Sequence, residues 1–167
     1  QCTKPEVGSA ATRQETKLYS DPKSDAEVLM TYYPNVRVEV LETGDAFVRV
    51  RIGEEDSGCM EGYMPAENLA YGEEGVRAVL GRIVEYSSPN AVILYAERNT
   101  KSSIIQSGID LMAANVLGYS DDWLHVRWRD AKGLVTVSGF VDGGQWDGLM
   151  RNDPMDYCLI EPMENEL

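Results

Sequence analysis

The chain carries one small pattern twice. Tyr19, Val28, Phe47 and Val50 return as Tyr95, Ile104, Trp123 and Val126, each pair 76 positions apart (95 − 19 = 76). After one inserted residue the match resumes at an offset of 77, where GYMPAENL at 62–69 faces GFVDGGQW at 139–146. Two copies of so long a period exclude a solenoid, which stacks many short repeats. They imply two small domains of one design. Units of roughly 60–75 residues lie near the lower limit for a self-sufficient core, so each is expected to pack against the other or against the linker. The sequence divides into an N-terminal tether (1–16), a first domain (17–75), a linker (76–91), a second domain (92–150) and an extended tail (151–167).

Within each copy the periodicity is that of strands. Val36, Val38 and Val40 alternate with Arg37 and Glu39, the period-2 pattern of a half-buried strand. Gly44 and Asp45 break the run as a turn does. Val48, Val50 and Ile52 then face one side, with Phe47, Arg49 and Arg51 on the other. The second copy sets Leu124, Val126 and Trp128 against Trp123, His125 and Arg127, after the turn Ser120-Asp121-Asp122. Short strands with tight turns predict a mainly β fold, a small barrel or sandwich in each copy. Between the copies two readings fit. Val76, Val79, Leu80, Ile83 and Val84 have the spacing of a helix face. Gly81 and the β-branched residues favour a strand over 82–86, and the balance tips to the strand.

The two copies also share one order of features. Each copy opens on an apolar-aromatic strand (Leu18-Tyr19, Leu94-Tyr95), followed by a polar loop and a strand beginning Val28-Leu29 or Ile104-Ile105. A long strand ends at Val40-Leu41 or Val116-Leu117. After a short acidic turn an aromatic leads the next strand (Phe47-Val48-Arg49-Val50, Trp123-Leu124-His125-Val126). Each copy closes on Gly62-Tyr63-Met64 or Gly139-Phe140-Val141. Over 17–70 and 92–146 this order resembles the bacterial SH3-type domain, and the resemblance implies two tandem SH3-like β-barrels. The glycine of the closing step suits a sharply bent strand, and PAEN and DGGQ suit a single helical turn. Trp146 stands where an aliphatic residue is usual, and the hairpin at 129–138 is longer than its counterpart.

The net charge of −13 is uneven: −8 over 17–75, −1 over 76–150, −4 over 151–167 and 0 over 1–16. Such a surface repels phosphate backbones and anionic lipid, so neither nucleic acid nor a bare membrane is an expected partner. The start at Gln1 without methionine suggests a mature or truncated product. Cys2 then resembles the lipid-bearing first cysteine of a bacterial lipoprotein, although Gln1 is not the small residue usual before it. An idle terminus is the alternative. Cys59 and Cys158 either pair in an oxidising compartment or stay as thiols. No zinc-ligand spacing exists, and no metal or cofactor is expected.

A catalytic set is hard to assemble. The only histidine, His125, falls on the outward face of its strand, and Cys59 belongs to the other copy, in an acidic loop that raises a thiol pKa. The carboxylates at 54–56 and at Asp121-Asp122 read as solvated turn residues. What remains is aromatic. Trp123, His125, Tyr95 and Phe140 in the second copy, with Phe47, Tyr19 and Tyr63 in the first, are the candidate ligand-binding residues. The competing reading has them filling a seam between the barrels. The resulting expectation is a non-catalytic module of the bacterial envelope, periplasmic or lipid-anchored, that binds cell-wall peptide or glycan. A protein–protein adaptor with an acidic surface is the alternative, with another envelope protein as its partner, and a cell-wall hydrolase the remotest reading.

Overall fold

The computed structural model describes residues 4–79, 83–85, 91–109, 114–130, 132–143 and 158–160. Cys2, Trp146 and most of the tail lie outside them. The fold is mainly β, and its described residues form two compact units. The first holds residues 4–52 and 60–79; the second holds Gly53–Cys59 together with the described residues from Ile83 to Ile160.

The first unit runs β1 (Gly8–Thr12), β2 (Thr16–Tyr19), β3 (Val28–Tyr32), β4 (Arg37–Glu42), β5 (Phe47–Ile52), β6 (Met60–Pro65), a 3-10 turn (Ala66–Asn68), β7 (Leu69–Tyr71) and α1 (Gly72–Val79). Its strands are hydrogen-bonded in the order β3-β2-β6-β5-β4-β1-β7. The alternation read from the sequence is the alternation of burial. Val38, Val40, Val48, Val50, Ile52 and Met64 point inward with Leu18, Met30 and Leu69, while Phe47, Arg49, Arg51 and Tyr63 are partly exposed on the other face.

The N-terminal residues depart from expectation. Instead of a tether through residue 16, Gly8–Thr12 is a strand seated between β4 and β7. Ala10, Ala11 and Thr12 are fully buried. The segment GSAAT lacks the large apolar residues that make a strand legible, because it fills a narrow slot in which both of its faces are covered. Thr12 anchors it: its hydroxyl donates to the Tyr33 carbonyl at 2.8 Å and accepts from the Val36 amide at 2.9 Å. Thr12→Val keeps the shape but removes both of these buried bonds, so a loss of about 1–2 kcal/mol is expected, read from the urea midpoint.

The second unit contains β8 (Ile83–Glu85), β9 (Val92–Tyr95), β10 (Ile104–Ile109), β11 (Ala114–Tyr119), β12 (Trp123–Arg129), β13 (Thr136–Asp142) and β14 (Cys158–Ile160). Five of these pair in the order β10-β9-β13-β12-β11, and β14 pairs with β8. The linker thus uses both readings, the helix ending at Val79 and the strand beginning at Ile83.

The repeat persists at the level of single hydrogen bonds. In the loop after β2, amides 20, 23 and 26 donate to carbonyls 27, 21 and 23. In the loop after β9, amides 96, 99 and 102 donate to carbonyls 103, 97 and 99, every position displaced by 76. The register shift between Val40 and Glu42 on β4 returns between Val116 and Gly118 on β11. Gly62 and Gly139 share one constraint as well. A Cβ on either would lie 2.7 or 2.9 Å from the carbonyl oxygen of Tyr19 or Tyr95.

Candidate functional site

The aromatic leading β5 or β12 meets the tyrosine ending β2 or β9. Tyr19 and Phe47 make an edge-to-face pair, with centroids 5.9 Å apart and planes at 87°. Tyr95 and Trp123 repeat it at 6.2 Å and 89°. In such a pair the edge of one ring packs against the face of the other, and each ring fixes the other's orientation. Trp123 and Tyr95 are both partly exposed.

Trp123 lines an open groove of about 590 Å³ in the second unit. One wall is the loop after β9, with Arg98, Asn99 and Thr100; the other is the β11–β12 turn, with Asp121 and Asp122, and Asp142 closes the end. The loop is stiffened from within. The Asn99 side-chain carbonyl accepts from the Lys101 amide at 2.8 Å, and the Ser102 hydroxyl donates to the Asn99 carbonyl at 2.6 Å. The Ser120 amide donates to the Trp123 carbonyl at 2.8 Å and fixes the turn. The groove therefore offers one aromatic plane beside acceptors of both kinds, carboxylate and amide, and one guanidinium.

The first unit repeats only part of this rim. At the positions 76 or 77 residues earlier, Asp45 answers Asp121 and Ser24 answers Thr100, but Pro22, Lys23, Ala46 and Pro65 replace Arg98, Asn99, Asp122 and Asp142. Aspartates in a hairpin turn read individually as solvated. Their convergence on Trp123 becomes visible only when the loop after β9 is laid beside them, and sequence reasoning missed them for that reason.

Two of the sequence candidates lie elsewhere. His125 and Phe140 are not on an open face: they are 0% and 1% exposed, stacked with centroids 4.3 Å apart and planes at 13°. What covers them is Gly53–Cys59, a strap that the alternation of β12 could not reveal. The Gly58 carbonyl accepts from the Ser138 hydroxyl at 2.7 Å and from His125 Nε2 at 2.8 Å. The Gly58 amide donates to the Ser138 carbonyl at 2.9 Å, and the Ser57 hydroxyl accepts from the Ser138 amide at 2.9 Å. Glu54 adds an ion pair with Arg127 at 3.0 Å. Burial holds the His125 pKa down at about 3, helped by the charges of Arg127 and Arg98 and opposed by the Gly58 carbonyl.

The strap also brings the residue before Cys59 against His125. The imidazole there is buried and donates from Nε2 to the Gly58 carbonyl. In the first unit Tyr63 lies on β6 opposite both Tyr19 and Arg49. Arg49 bridges Glu42 at 2.9 Å and Glu61 at 2.8 Å, and Glu61 foremost raises its pKa. Among the described residues no group of three His, Cys, Asp or Glu side chains is placed to hold a metal ion, and no helix is long and apolar enough to cross a membrane.

No protein-family model matches the chain, and the comparison with curated proteins finds no match. Among solved structures, NlpC1 from Trichomonas vaginalis is 16% identical, with 91% of this chain and 48% of that chain covered and a TM-score of 0.38. NlpC2 from Trichomonas vaginalis is 18% identical, with 90% and 50% covered and a TM-score of 0.36. The chain spans about half the length of these structures, and likeness at this level is too slight to define a fold or an activity.

Proposed function

We propose that this chain is a non-catalytic binding module of two SH3-like barrels, working in a bacterial cell envelope and recognising cell-wall peptide or glycan in the Trp123 groove. The observation that carries the proposal is the pairing of a braced, partly exposed indole with a rim of Arg98, Asn99, Asp121, Asp122 and Asp142. A planar aromatic offers rigid contact area at small entropic cost, and flanking carboxylates and amides take the hydroxyls of a sugar or the amides of a peptide.

Retention on purified peptidoglycan tests the reading. The parent protein is expected to be retained, and Trp123→Ala to reduce the bound fraction in line with a tenfold or greater loss of affinity, as a central aromatic anchor does (about 1.4–2 kcal/mol). The near-ultraviolet spectrum should show that the variant still folds. A parent protein that washes through at background level would sink the proposal.

A second reading rests on the exposed acids of the first unit, Asp21, Asp25, Glu27 and Asp45. They suit an adaptor docking a basic partner, whose affinity would fall steeply with salt. Binding unchanged between about 0.05 and 0.5 M salt would remove that reading.

A further inference from the structure

The strap Gly53–Cys59 identifies a docking edge in the second unit and, through the repeat, an open one in the first. In the second unit β9 meets β13 only at Tyr95 and Phe140. Beyond that point the backbone of Ser138 faces away from β12, and the strap takes both its amide and its carbonyl. The carbonyl takes a backbone amide, as it would from an added strand, and the amide takes a serine hydroxyl, so the strap covers this edge and leaves Ser138 buried. Close approach is allowed because Gly58 passes over Gly139: a Cβ on Gly58 would lie 2.5 Å from the Gly139 Cα.

The same edge exists on β6. Antiparallel pairs alternate between hydrogen-bonded and non-hydrogen-bonded. The Ala66 amide donates to the Ala46 carbonyl at 2.8 Å, which makes 48↔64, 50↔62 and 52↔60 the bonded pairs of β5 and β6. Arg51↔Glu61 is therefore a non-bonded pair, and the amide and carbonyl of Glu61 point away from β5. On that side β2 meets β6 only at Tyr19↔Tyr63, so among the described residues no strand runs beside β6 at Glu61. Gly62 underlies the site as Gly139 does in the second unit. Arg51, opposite Glu61, stands where Arg127 pairs with the strap's Glu54. Arg49 adds a second positive charge, and its carboxylate partners are 64% and 47% exposed, so an incoming carboxylate competes with them in solvent.

We propose that the β6 edge at Glu61 docks an extended, acidic, glycine-containing segment of a partner protein. Its backbone pairs with Glu61 as the strap pairs with Ser138, its glycine crosses Gly62, and its carboxylates meet Arg49 and Arg51. This edge is separate from the Trp123 groove and stands or falls independently of it.

The strap's own sequence is the probe: a capped, fluorescent peptide of residues 53–59 with Cys59→Ser, titrated into the full chain and read by anisotropy. Saturable binding is expected. Arg51→Glu should weaken it at least tenfold, and Glu61→Pro should abolish it by removing the edge N–H, at a position where an edge strand tolerates proline. Changes on the peptide need no folding control: leucine in place of its second glycine, or lysines in place of its acids, should also end binding. Absence of saturation up to millimolar peptide, or binding indifferent to the peptide's glycine and acids, would overturn the proposal. So would binding that survives Glu61→Pro but is lost on Ser138→Ala, since the peptide would then be exchanging with the strap in the second unit.

Discussion

Gly58→Ala should unfold the second unit about 10 °C earlier than the parent protein. The new methyl would sit 2.5 Å from the Gly139 Cα, 3.0 Å from the Tyr95 carbonyl oxygen and 3.1 Å from that of Ser138. All three are backbone atoms, so no side chain can swing aside to make room. The strap must lift, and lifting it lengthens the bonds from Ser138, His125 and the Gly58 amide together. Overpacking of this kind costs about 3 kcal/mol, and each kcal/mol lowers the midpoint by roughly 2–4 °C in a chain of this size. The chain's three tryptophans, Trp123, Trp128 and Trp146, all lie in the second copy of the repeat, so their fluorescence follows that half selectively. A midpoint within about 1 °C of the parent would mean that the strap is not seated as described.

The same strap marks the limit of what the sequence could reveal. Strand alternation identified the inward faces of β4 and β5, and that of β12 at Leu124 and Val126 though not at the partly exposed Trp128, because one face of each meets a core and period-2 hydrophobicity records that directly. The single helical turn expected at PAEN from the family resemblance, not from alternation, is the 3-10 turn Ala66–Asn68. Alternation cannot say what covers the other face. His125 sits at an outward position of β12, as expected, yet it is wholly buried, because seven residues distant in sequence lie over it. Nothing in GEEDSGC advertises burial: the contacts are made by backbone atoms and small hydroxyls, and its acids remain at the rim. Gly8–Thr12 escaped notice for a related reason, since a strand covered on both faces by close neighbours needs small residues rather than large apolar ones. The Trp123 groove was half legible. The aromatic repeated at an offset of 76, whereas its polar rim comes from three separate segments that only the fold assembles.

His125 should make the second unit acid-labile well above the pH at which carboxylates titrate. The unfolded chain binds a proton at this side chain near pH 6.5, whereas in the fold burial first, and then Arg127 and Arg98, hold the pKa near 3. Above pH 6.5 the ring is neutral in both states and contributes no slope. Between about 6.5 and 3 the unfolded state binds the extra proton, so stability falls with falling pH by about 1.4 kcal/mol per unit. The contribution is complete above the unfolded pKa and gone once pH has dropped through the folded one. From pH 6.5 to 5 the expected loss is about 2 kcal/mol, read from the urea midpoint of tryptophan fluorescence. The chain has one histidine, so its imidazole resonances can be followed without ambiguity, and they should not shift between pH 8 and 5. His125→Gln retains a donor for the Gly58 carbonyl and removes the titration. It should cost stability at pH 7 yet flatten the profile between 6.5 and 5. A variant as pH-sensitive as the parent, or an imidazole titrating near 6.5, would show that the ring is solvated and the strap open.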